Sequence, residues 1–132
     1  WLLELSDAGE VVPLPQLAEV PLTQPWYAGL ANVRGALYSV VDLAAFHGRP
    51  ATLRSSAARL LLVGTRHGIN SALLVERILG LRAPEGLKPE PVAAEPERPW
   101  AGEALRDARG ERWRRLLVKP LLNDPRFLDI AR

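Results

Sequence analysis

The sequence contains no cysteine and no methionine, and only 6% of it is aromatic. Without cysteine there are no disulfides and no thiolate metal ligands, which suits a reducing, cytoplasmic setting. With so few aromatics the core has to come from Leu, Val, Ile and Ala, leaving Trp1, Trp26, Trp100 and Trp113 as isolated large pieces. No apolar run approaches the length needed to cross a bilayer, so direct membrane insertion is not expected. An excess of charge is missing too. Seventeen Lys and Arg against fifteen Asp and Glu leave +2, too weak a field to gather nucleic acid.

The groups that chemistry requires are equally scarce. His47 and His67 each sit beside a glycine, without a carboxylate or second histidine at ligand spacing, so both are expected as exposed turn residues and not as metal ligands. Ser55, Ser56 and Ser71 lack a nucleophile-elbow context, and no glycine-rich phosphate loop is present. Glu95 and Glu97 fall in a proline-rich stretch, where a solvated face is expected in place of a fixed acid and base. Arg106, Arg109, Arg112, Arg114 and Arg115 are interleaved with Glu103, Asp107 and Glu111, the pattern of a hairpin surface. No catalytic residue, metal or cofactor is therefore expected.

What is present reads as strands. At 132 residues and 48% hydrophobic, residues 1–132 have the size of a single domain. Trp1 to Ser6 alternates as a strand and Asp7-Ala8-Gly9 turns it. Nothing in the given residues reads as a secretory signal peptide. The abrupt start inside a strand leads us to expect a further segment ahead of Trp1. Four prolines between Val11 and Pro25 predict extended or irregular chain with a brief strand near Ala18 to Val20. Leu30 to Arg34 and Ala36 to Leu43 form a hairpin turning at Asn32 to Gly35, and Leu43 to Gly48 makes one helical turn. The chain changes over from one half to the other near 48–58. Leu60 to Val63 and Ile69 to Arg77 form a second hairpin around His67-Gly68, which Ile78 to Leu81 extends. Ala83 to Pro99 is expected to run over the surface with little regular structure. Trp100 to Arg106 and Glu111 to Lys119 form a third hairpin around Asp107 to Gly110. Asp124 caps a helix from Pro125 to Ala131 that buries Phe127, Leu128 and Ile130. The fold class is all-β, in small barrels or a sandwich.

Gly29 to Leu43, with its Gly29, the Asn32-Val33-Arg34-Gly35 turn and the Val41-Asp42-Leu43 ending, resembles the signature hairpin of CheW-like domains. Gly9 to Val12, Leu60 to Val63 and Leu73 to Ile78 are similar to neighbouring elements of that family. Trp26-Tyr27, Phe46-His47-Gly48 and the stretch from Trp113 to Ala131 resemble its PilI-like branch. Ser39 departs from the commoner proline and Glu76 from the usual Asp. The resemblance implies two SH3-like five-stranded β-barrel subdomains with a short C-terminal helix, the first strand lying before Trp1. It implies a non-catalytic adaptor coupling a methyl-accepting chemoreceptor tip to the regulatory domain of a CheA-like histidine kinase, in a type IV pilus twitching-motility system. The alternatives are a flagellar chemotaxis coupler, the regulatory domain of a kinase and, from a different class, a small-ligand-binding β-barrel sensor. Carried over by position, Arg34, Gly35, Gly29, Glu10, Leu60 and Ile78 are the expected partner contacts. Gly29 and Gly35 also have a backbone reading, and Leu60 and Ile78 a core reading.

Overall fold

Leu60-Leu61-Leu62-Val63 is apolar at every position, and a strand needs that only when both its faces are buried. In the computed structural model, which describes residues 1–3, 9–63, 70–79, 84–91 and 97–130, this run is β4 (Arg59–Val63). It lies inside a five-stranded sheet with β1 (Glu10–Pro13), β2 (Tyr27–Val33), β3 (Ala36–Asp42) and β5 (Ser71–Val75), in the order β1-β4-β5-β3-β2. Only the β3–β5 pair is parallel. Leu61, Val63, Leu73 and Val41 point into one core, whereas Leu60, Leu62, Ala72, Leu74 and Val40 fill another on the opposite face. Each such leucine contributes roughly 1.5–3 kcal/mol on burial.

The first core is shared with the rest of the chain. A second sheet of β6 (Lys88–Glu90), β7 (Ala101–Arg106) and β8 (Arg112–Leu116) is fully antiparallel, and Leu2 bridges Arg115 in parallel beside it. Among the described residues, three short α-helices, α1 (Leu43–Phe46), α2 (Val118–Leu122) and α3 (Pro125–Leu128), complete the covering. Trp100, fully buried, donates its indole N–H to Asp124 at 3.1 Å, and Asp124 in turn accepts from the Arg126 backbone to cap α3.

The β2–β3 hairpin and the β7–β8 hairpin stand where the sequence placed them, and the capped final helix starts at Pro125 as expected but ends at Leu128, short of the expected Ala131. Asp107 closes the β7–β8 turn by accepting from the Arg109 and Glu111 backbones and from the Trp113 indole.

Other expectations are corrected. Glu10 to Pro13 is a regular edge strand, which only Pro13 brings to an end. Ala18 makes a single bridge with Leu30. The segment near 48–58 joins α1 to β4 within one sheet, and the chain changes sheets between β5 and β6. The proline-rich stretch holds a 3-10 turn at Pro84–Gly86 and then β6, because Pro89 lies in an edge strand, where a missing N–H can be tolerated. Lys119 belongs to α2, not to a strand, since Pro120 falls in the first helical turn, where no intrahelical N–H is needed. Leu128 is exposed and Ile130 only partly buried. Trp1, Trp26 and Trp100 are not isolated but form one aromatic cluster with Phe46, His47 and Phe127. His47 is accordingly half-buried, edge-on to Trp1 and to Trp100.

The expected strand over Glu4 to Ser6, the Asp7-Ala8 turn, the His67-Gly68 turn, the Gly80-Leu81 extension and Glu95 lie outside the described residues.

Candidate functional site

The β2–β3 connection has two residues, and both adopt positive φ, 51° at Arg34 and 86° at Gly35. That pairing gives the turn whose twist matches antiparallel strands. Gly35 takes it without steric cost, whereas Arg34 is a rare non-glycine occupant of the left-handed region. Asn32 supports the bend by accepting the Gly35 N–H at 2.9 Å. The turn thus holds the Arg34 guanidinium in a defined place at the end of the sheet.

The guanidinium meets Glu10. Its two terminal nitrogens donate to the two carboxylate oxygens, Nη1 to Oε2 at 2.6 Å and Nη2 to Oε1, a planar two-point match that lysine cannot reproduce. Glu10 opens edge strand β1, while Arg34 follows the opposite edge strand β2, so the pair ties the two edges of the sheet together. The segment leaving β1 reinforces this closure through two backbone hydrogen bonds between Ala18 and Leu30, each 2.9 Å. The Arg34 hydrogen bond holds the Glu10 carboxyl below its ordinary pKa, and Glu10 raises that of Arg34. Both side chains stay exposed, at 66% and 45%.

The structure therefore brings together three of the six residues singled out from sequence, Glu10, Arg34 and Gly35. Gly29 is buried, with φ of 130°, and a side chain there would strike the Ala18 carbonyl. Its place is in the bulge that shifts the β2–β3 register between Tyr27 and Gly29. Leu60 is fully buried in the second core and presents no surface. Ile78 is 46% exposed beside exposed Leu79, but it follows β5, which runs parallel to β3 and leaves the sheet at the end away from Arg34.

Sequence reasoning did not assign Asp42. Its buried carboxylate accepts from the Ala45 N–H at 3.3 Å, the Thr52 N–H at 2.8 Å and the Thr52 hydroxyl at 2.6 Å, capping α1 and tying down the chain that follows. An aspartate directly before an apolar helical turn was the available signal.

Among the described residues no three His, Cys, Asp or Glu side chains converge as metal ligands, and no helix is long and apolar enough to cross a membrane. The clasp offers charge and hydrogen-bonding geometry without a nucleophile or a paired acid and base.

Comparisons with known proteins give the following likenesses. A family model described as CheW-like domain matches residues 1–126. Protein PilI of Pseudomonas aeruginosa is 28% identical over 82 residues, which are 62% of this chain and 46% of PilI, so the match spans about half of that relative's length. The crystal structure of scaffolding protein TtCheW from Thermoanaerobacter tengcongensis matches in fold with a TM-score of 0.70 at 19% identity, covering 86% of this chain and 78% of that one.

Proposed function

Since the chain belongs to the CheW-like domain family, we propose that it is a non-catalytic, cytoplasmic adaptor that couples a chemoreceptor tip to the regulatory domain of a CheA-like histidine kinase. The observation that carries this reading is the exposed Arg34–Glu10 clasp. It fixes two charged groups at one end of the sheet, where Gly35 keeps the backbone low and leaves room for a partner. A clasp made by only two side chains can open and re-form as a partner competes for either group, which makes it suited to joining two binding events. The likeness to PilI favours the type IV pilus branch over a flagellar coupler.

Within this reading the chain consists of two barrels. The five-stranded sheet, whose edges meet at the clasp and at the Ala18–Leu30 bridge, supports the first. The three-stranded sheet with Leu2 alongside it supports the second.

The test is calorimetric titration of the chain with a kinase regulatory domain and a receptor-tip fragment from the same chemosensory system. Saturable binding of both is expected. Failure to bind either would overturn the reading.

A further inference from the structure

A groove of about 640 Å³ lies between the end of α1 and the second sheet, lined by Trp1, His47, Arg49, Glu90, Arg112, Trp113 and Arg114 among others. It opens at the end of β3 away from the clasp, and the seven residues of β3 put roughly 20 Å between them. Its lining holds three arginines, Arg49, Arg112 and Arg114, and one carboxylate, Glu90. Arg106 already holds that carboxylate, Glu90, at 2.7 Å. Arg112 touches Glu90 through Nε alone, at 3.4 Å, and its side chain is 75% exposed. Arg49 is exposed as well. Trp1, His47 and Trp113 add flat apolar faces beside these cations. Trp113 is pinned by its indole hydrogen bond to Asp107, and His47 by its edge contacts with Trp1 and Trp100.

We propose that this groove is a second docking surface, which takes a short acidic segment of a protein partner carrying one or two large apolar side chains. Arg49 and Arg112 receive its carboxylates, and Trp1 and Trp113 receive its apolar groups. The charge balance argues for a peptide over nucleic acid, because Glu103, Asp107 and Glu111 interrupt the arginines along the second sheet's sequence, and among the described residues the groove's own lining includes the carboxylate Glu90. The proposal builds on the adaptor reading, which calls for two separate faces.

The experiment is NMR titration of the full chain, following the tryptophan indole N–H signals, with a twelve-residue peptide of alternating glutamate and leucine around one phenylalanine. Saturable shifts of the Trp1 and Trp113 signals are expected. Binding should weaken at least tenfold when glutamine replaces the peptide's glutamates, and likewise in Arg49→Glu/Arg112→Glu or in the milder Arg49→Gln/Arg112→Gln. Arg34→Ala should bind as the parent does. Circular dichroism checks that each variant folds. Equal binding of the neutral peptide, full retention in the folded double variants, an unsaturable response or tighter binding of single-stranded DNA would each overturn the proposal. If the double variants kept full affinity for the kinase domain and receptor tip while losing nothing toward the peptide, the groove would be refuted and the adaptor reading would stand.

Discussion

The indole N–H of Trp100 donates to the carboxylate of Asp124 at 3.1 Å, in a place where both residues are almost wholly shut off from water. One carboxylate thereby anchors the central tryptophan of the shared core and caps α3. Removing it strands two donors. Asp124→Ala should cost about 2–3 kcal/mol, and Asp124→Asn, which keeps one acceptor, should cost less. Urea unfolding of the three proteins followed by tryptophan fluorescence measures the difference.

The two glycines of the hairpin should separate by their surroundings. Gly29→Ala drives a methyl group into the Ala18 carbonyl at a φ that L residues avoid, so a loss of about 2 kcal/mol or more is expected. Gly35→Ala meets open space and bears only the conformational cost, about 1 kcal/mol. Thermal melts of both variants would show the ranking.

Leu60 and Ile78 should diverge in the same manner. Leu60→Ala opens a cavity in the second core and should cost about 2–5 kcal/mol. Ile78→Ser, at a half-exposed position after β5, should stay within about 0.5 kcal/mol. Chemical denaturation decides this, and any loss of partner binding by Leu60→Ala would then be assigned to unfolding.

Glu10, Glu90 and Asp107 are held below the ordinary carboxylate range, by hydrogen bonds from Arg34, Arg106 and the Trp113 indole respectively. A carboxyl whose folded pKa is lowered stabilises the fold fully above its unfolded value near 4, and that stabilisation fades as pH falls through the lowered folded value. Melting temperature should thus drop from about pH 5 toward pH 2. Glu10→Gln should flatten that drop, and added salt should shrink the difference between the two proteins, since the pair is exposed. Melting curves across this pH range, at low and high salt, provide the check.

The strands of the β2–β3 and β7–β8 hairpins, the β2–β3 turn and the cap of α3 were legible because each is written in neighbouring residues. Arg34-Gly35 between two β-forming runs and Asp124-Pro125 before Phe127 are local signals. The elements that escaped depend on distant partners. Lys88 to Glu90 becomes a strand only because β7 lies beside it. His47 leaves solvent only because Trp1 and Trp100 flank it. At the candidate site the family resemblance singled out Arg34 and Glu10 separately. Their contact, 24 residues apart in sequence, required the sheet to bring its two edges together. The same folding removed Leu60 and Gly29 from the surface, a distinction that residue type alone does not make.

Arg34 is proposed to work at a partner-binding face. Arg34→Ala breaks an exposed pair and should leave the melting temperature nearly unchanged, because such pairs add little to stability. Calorimetric titration of parent and Arg34→Ala against the kinase regulatory domain and the receptor-tip fragment, with melting curves as the folding control, tests it most directly. Affinity for at least one partner is expected to fall about 30-fold while the fold persists. Equal affinities for both partners would contradict it, and a large melting shift would show instead that Arg34 serves the fold.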